Sequence, residues 1–243
     1  MFKLGVQIYS VRNEYAADPL SCFKQMKAFG YDGAELFGSI KTHPAEQLKA
    51  WLAEAGLEIC GYHTQVAEIR EDIDAVIAYN RTLGNRFVIV PAPAGPMSTA
   101  AEWHAFSREL NGYKNTFAAA GFRFGFHSHR NEVLPVDDGS LPWDIVAADT
   151  DDDFILQIDM GNTLSGGVRR RNCTRNTPRA ASPYTISPIP SRPASTPSSA
   201  PMTSIGTGLS PLPNPCLPVS GPSSSMKRAF FLTLPSAPKR FAR

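Results

Sequence analysis

Short apolar runs alternate with stretches of helical periodicity through the first two thirds of the chain. The runs fall at residues 3–10, 33–37, 57–63, 86–91, 123–127 and 154–159, spaced roughly 30 residues apart. Each is nearly continuous rather than alternating, the pattern of a strand buried on both faces. Between them Leu20, Phe23, Met26, Lys27 and Phe29 recur at helical spacing, as do Ile73, Val76, Ile77 and Asn80, and Gly30 and Gly84 follow. Glycine fits just past a helix end because it accepts positive φ. Asp18-Pro19 places a capping side chain before a proline suited to the first helical turn.

Strand and helix in repeated alternation imply parallel strands joined by right-handed crossovers, hence an α/β fold. A doubly wound sheet and a barrel share this pattern. The polar residues favour the barrel, because nearly every strand ends at its carboxyl side in a chemically capable side chain, and barrel active sites lie on that face. The expected architecture is an incomplete (β/α)8 TIM barrel of about six β/α units.

Composition divides the chain at Gly167. All 22 Asp and Glu and all 5 His precede the division, together with thirteen Lys and Arg, so residues 1–167 carry a formal charge of −9. Residues 168–243 hold eleven Lys and Arg and no acid, a charge of +11, along with 14 of the 21 prolines. Such a Pro/Ser/Arg-rich segment buries too little apolar surface to offset its ordering entropy. The expected domains are therefore a partial barrel over 1–167 and a low-complexity, disordered or out-of-frame tail over 168–243. Cys22, Cys60, Cys173 and Cys216 show no paired spacing, which argues against a disulfide framework. No apolar run reaches the ~18 residues of a membrane span, so a cytoplasmic location is expected.

The densest chemistry follows the fifth run, in Phe126-His127-Ser128-His129-Arg130-Asn131-Glu132, where two imidazoles and a carboxylate reach one rim. The sixth run ends Gln157-Ile158-Asp159-Met160-Gly161-Asn162 and adds a second carboxylate. Carboxylate and imidazole together suit Mn²⁺, Mg²⁺, Co²⁺ or Zn²⁺, and Glu132 and Asp159 could share one such ion. His63 ends an earlier strand and Glu35 lies within another; each serves equally well as a structural partner or a functional group. His43 and His104 read as solvated, and Trp51, Trp103 and Trp143 as helix packing.

A Gly-Phe-His-x-His-x-x-Glu segment followed by Gln-Ile-Asp-x-Gly-Asn resembles the xylose-isomerase-like barrel superfamily, in particular its sugar phosphate isomerase/epimerase branch. Gly5-Val6-Gln7-Ile8-Tyr9-Ser10-Val11-Arg12 and Gly33-Ala34-Glu35-Leu36-Phe37 are similar to that branch too. The resemblance implies one divalent metal held by a Glu after the fifth strand, an Asp after the sixth, a His after the seventh and a Glu after the eighth. Glu132 and Asp159 match the first two; Glu132 would also transfer the proton. Glu35, His63, His127 and His129 would line a pocket for a small sugar. Ser128 stands where Asn is usual and Asn131 where an aromatic is usual.

The implied activity is isomerisation or epimerisation of a small sugar or sugar phosphate. With the metal site incomplete, this chain is expected to be inactive. A dehydratase acting on an inosose-type polyol is the related alternative. An endonuclease of abasic DNA shares barrel and metal, but the net negative charge of residues 1–167 makes nucleic acid an unexpected partner. A noncatalytic protein binding acidic partners through its basic tail is the third class. With six strands, the first and sixth would expose open edges, inviting self-association.

The tail contains no His, Asp or Glu to complete the ligand set. Read one frame over, with each codon built from one free third base and the next two bases, it permits the expected continuation. Residues 202–208 permit Asp-Ile-Asp-Trp-Asp, the first of these forced by ATG preceding ACN. Residues from 184 onward permit His-His-Leu-Thr-Tyr-Ser-Leu-Lys, a plausible seventh strand. We therefore expect a frameshift, genuine or a sequencing error, near Val168. Resequencing the gene across codons 160 to 175 should reveal a one-base discrepancy; the same uninterrupted frame in independent clones would contradict it.

Overall fold

The computed structural model describes residues 3–167 and 184–186. Six parallel strands form a curled half-barrel: β1 (Lys3–Gln7), β2 (Gly33–Phe37), β3 (Glu58–His63), β4 (Phe87–Val90), β5 (Arg123–His127) and β6 (Ile155–Gln157). Each pairs with its sequence neighbour. The helices are α1 (Arg12–Ala17), α2 (Pro19–Ala28), α3 (Ala45–Ala55), α4 (Val66–Glu71), α5 (Ile73–Leu83), α6 (Ala100–Ala119), α7 (Pro142–Asp149) and α8 (Met160–Ser165). An incomplete α/β barrel is thus present, as the alternating pattern predicts.

β1 and β6 stop two or three residues before their apolar runs do, each for a local reason. β1 stops at Gln7 because that side chain accepts the Tyr9 N–H and starts a 3₁₀ turn over Ile8–Val11. β6 stops at Gln157 because Asp159 caps α8, accepting the Asn162 N–H at 2.9 Å. Asp18 likewise caps α2 at 3.0 Å from the Ser21 N–H, with Pro19 in the first turn. Gly84 ends α5 at φ 83° and Gly30 follows α2 at φ 92°, the left-handed backbone expected of each just past a helix end, while Phe29 is half exposed rather than core.

Side chains alternate along each strand, dividing an outer apolar layer from an inner polar one. Val6, Leu36, Tyr62, Val88, Phe124 and Leu156 are buried on the outer, helix-facing side. Phe124 stacks on Phe117 of α6 with centroids 4.9 Å apart and meets Phe154 edge-on at 6.0 Å. Burying such a ring stabilises the fold by roughly 1.5–3 kcal/mol. Trp103 and Trp143 are buried as helix packing; His104 stays partly solvated, as expected, and also pairs with Asp149 at 2.6 Å.

Interior space comes from glycine. A Cβ on Gly61 would stand 2.7 Å from Glu35 Oε1, and one on Gly125 would stand 2.2 Å from the Ile155 carbonyl oxygen.

The expected open edge on the first strand is not found. β7 (Tyr184–Ile186) lies parallel to β1 with Lys3 opposite Tyr184 and Gly5 opposite Ile186. An unpaired edge offers a row of backbone donors and acceptors, and Tyr-Thr-Ile is well suited to extended pairing. Among the described residues β6 meets no strand on its outer side. The remaining tail expectations, disorder included, fall outside the described residues.

Two glycine substitutions should move stability in opposite directions. Gly125→Ala, which collides with β6 backbone, should cost about 2–3 kcal/mol. Gly112→Ala, inside α6 with open space around it, should gain about 1 kcal/mol. Shifts of the thermal midpoint down and up, respectively, would bear this out; equal midpoints would not.

Candidate functional site

Five polar side chains converge inside the carboxyl end of the half-barrel, each from a different strand. Gln157, last in β6, is the hub. Its Nε2 donates to Glu35 Oε1 at 2.7 Å, and its Oε1 accepts from His63 Nε2 at 2.9 Å and His127 Nδ1 at 2.7 Å. Because an amide oxygen only accepts, these contacts place a proton on Nε2 of His63 and on Nδ1 of His127. Gln7 closes the ring from β1, with Nε2 3.3 Å from His63 Nδ1. Glu35 Oε2 stands 3.0 Å from His63 Nε2 but accepts no well-aligned hydrogen bond, since that proton points to Gln157.

Burial gives this network electrostatic consequences. Glu35 is 1% exposed and His63 3%. Burial opposes charge on His63, but the Glu35 carboxylate and its hydrogen bonding outweigh it, and the His63 pKa is raised above the ordinary imidazole value. His127 goes the other way: burial first, then the charge of His63, lower its pKa to about 4. Two neighbouring imidazoles, with ring centroids 4.9 Å apart, are thus driven to opposite protonation.

Above the network lie the two carboxylates picked out by the sequence. The dipeptide that follows β5 contacts both residues: Glu132 Oε2 accepts the His129 N–H at 2.7 Å, and the Asp159 backbone N–H donates to Ser128 Oγ at 2.8 Å, while the Asp159 carboxylate accepts the Asn162 N–H. Asn162 Nδ2 reinforces this at 3.3 Å from the Ser128 carbonyl. Asp159 Oδ2 is 3.8 Å from His127 Nε2. Glu132, in a short 3₁₀ turn (Asn131–Val133), is 3% exposed.

The fold family implies a divalent metal here, and the donors do not fit one. One oxygen of each carboxylate already accepts a backbone N–H. Among the described residues no three His, Cys, Asp or Glu side chains are grouped to hold an ion. Residues 168–243 contribute no His, Asp or Glu to add. Two carboxylates are a partial ligand set, short of the four donors the resemblance implies.

Of the residues singled out from sequence, Glu35, His63 and His127 meet in the network, while Glu132 and Asp159 are joined through Ser128 and His129. The His129 ring leans edge-on against His127 at 5.0 Å and makes no contact with the hub. Gln157 and Gln7 were not singled out, although each is the terminal residue of its strand, the position that flagged His63 and His127.

Two measurements test this geometry. In an NMR titration His127 should titrate near pH 4 and His63 above its ordinary 6.5, with Glu35→Gln lowering the latter. By linkage, the His63 pairing stabilises below pH 6.5 and fades as pH rises through its folded value, whereas His127 disfavours folding as pH falls from 6.5 toward 4. Both rings titrating together near 6.5 would contradict the arrangement. Gln157→Leu strands three polar groups and should cost about 2 kcal/mol in denaturant unfolding.

No protein-family model matches the sequence, and no curated protein does. Solved structures do match in shape. A sugar phosphate isomerase/epimerase from Parabacteroides distasonis aligns with a TM-score of 0.65 at 20% identity, over 72% of this chain and 71% of that one. The IOLI protein with a binding zinc atom aligns at 0.52 and 14% identity, over 71% and 68%. An AP endonuclease of family 2 from Brucella melitensis aligns at 0.51 and 14% identity, over 66% and 69%. An isomerase/epimerase and an endonuclease share this likeness, so it speaks for fold rather than activity: the chain carries the fold of the xylose-isomerase-like TIM barrels.

Proposed function

We propose that this chain holds the ligand-binding mouth of a sugar isomerase or epimerase, able to bind a small polyhydroxylated ligand but not to turn it over. The supporting observation is the Gln157 hub, which joins amide, imidazole and carboxylate groups from five strands inside the carboxyl end of the half-barrel. Such mixed donors and acceptors suit sugar hydroxyls, each of which both gives and takes a hydrogen bond.

Glu132 is the group for proton transfer beside a sugar carbonyl. Its Oε2 is held by the His129 N–H, which fixes the carboxylate and leaves Oε1 to take a proton. A cation would supply charge stabilisation for the resulting enediolate, and this chain has two of the donors that would hold it. The frameshift near residue 168 accounts for the shortfall.

The test compares two proteins. The present chain should bind ketoses in ligand-observed NMR yet give no isomer, epimer or dehydrated product with Mn²⁺, Mg²⁺, Co²⁺ or Zn²⁺, across a panel of ketoses and an inosose. A version with its frame restored after codon 167 should gain turnover. Turnover by the present chain, or no binding at all, would overturn the proposal.

A further inference from the structure

The end of the half-barrel opposite the hub carries a cavity of its own. About 230 Å³ in volume, it opens between the carboxyl end of α5 and the amino ends of β4 and β5, lined by Arg81, Gly84, Asn85, Arg86 and Phe122. Hydrogen bonds fix the loop that carries Arg86. Asn85 is 1% exposed; its Nδ2 donates to Asn80 Oδ1 and to the Phe87 carbonyl, each at 2.8 Å, and its Oδ1 accepts the Phe87 N–H at 3.1 Å. Gly84, at φ 83°, makes the left-handed turn out of α5, and the position of its missing side chain is open space.

Both arginines are tethered to the turn between α6 and β5. Arg81 Nη2 donates to the Ala120 carbonyl at 3.4 Å, and Arg86 Nη1 donates to the Gly121 carbonyl at 3.3 Å. The Arg81 guanidinium also lies over the Phe122 ring, 5.9 Å from its centroid. Among the described residues each fork gives one of its five N–H groups to its tether. Anchoring on consecutive carbonyls brings two cations to one cavity whose lining contains no Asp or Glu. Like charges held side by side repel, and an anion between them turns that repulsion into attraction. What sets this place apart is that two fixed forks share one concavity with an aromatic wall beside them.

We propose that Arg81 and Arg86 form a binding site for a small dianion, inorganic phosphate or a short dicarboxylate, at the amino-terminal face of the sheet. Each planar fork matches a pair of oxyanion oxygens, and a second negative charge is needed to balance both guanidiniums. Barrel chemistry takes place at the carboxyl ends of the strands, so a ligand here is not a substrate. Its effect is on stability: an anion bound only by the folded chain ties α5 to the turn before β5 and raises the melting temperature. The site stands apart from the mouth and does not depend on how the mouth is read.

The experiment is an NMR titration of the full chain at constant ionic strength with inorganic phosphate, succinate and acetate in separate series, following the backbone amides of Gly84, Asn85, Gly121 and Phe122. At least one dianion should shift these amides to saturation and bind about tenfold or more tightly than acetate, the gain typical of added hydrogen bonds to a charged group. Which of the two does so identifies the oxyanion the forks accept. Arg81→Ala and Arg86→Ala should each weaken that dianion about tenfold or more. Arg81→Lys and Arg86→Lys, which keep the charge but not the fork, should bind it less tightly than the unmodified chain. Arg108→Ala, an equal change of charge on α6 outside the cavity, should leave its affinity within about twofold. Shifts confined to the basic residues 168–243 would overturn the site, as would acetate binding as tightly as both dianions. Binding that survives Arg81→Ala and Arg86→Ala, or that falls as far in Arg108→Ala, would overturn it too. Full affinity in both lysine variants would overturn the role given to the forks.

Discussion

One primary amide, on Gln157, organises the interior of the half-barrel. It supplies a donor to Glu35 and an acceptor to two imidazoles, so three ionisable groups from β2, β3 and β5 each gain a hydrogen bond from a single side chain on β6. Left without it, each would face the cost of burying an unpaired polar group. Gly61 and Gly125 are the other half of this constraint: side chains there would occupy the space Glu35 needs or press β5 against β6. The polar interior and the glycine positions are one feature, and the apolar outer layer can pack against helices because the polar side chains have somewhere else to go.

The same arrangement sets what the mouth can do. Opposite pressures on His63 and His127 give neighbouring rings different protonation, which suits a surface that must offer both donors and acceptors. The carboxylates of Glu132 and Asp159 are held in place by the backbone N–H groups of His129 and Asn162 independently of any ion. Binding therefore stands on groups that are all present, while catalysis through a metal would need donors that residues 168–243 do not contain. The split of charge at residue 167, −9 against +11, with no acid or imidazole beyond it, is the contrast that the proposed change of reading frame addresses.

Much of the fold was legible in the sequence, because continuous apolar runs and glycine-terminated helical stretches are local signals. The strand ends were misjudged at Gln7 and Asp159, where a side chain captures a backbone N–H and turns an apolar run into a 3₁₀ turn or a helix cap. His63 and His127 could be found from their chemistry and their place at strand ends, and Glu35 from its carboxylate inside an otherwise apolar strand. Gln157 could not be ranked among them, since an amide carries no charge and its importance comes from partners up to 122 residues away. The pairing of β7 with β1 was equally hidden, as nothing in Tyr-Thr-Ile marks its partner.

The central claim is that the Gln157 oxygen accepts from both imidazoles, and the ring tautomers report on it directly. Long-range ¹H–¹⁵N correlation spectra at neutral pH should show His127 carrying its proton on Nδ1 and His63 protonated on Nε2. A His127 proton found on Nε2, facing Asp159 instead of Gln157, would contradict the account.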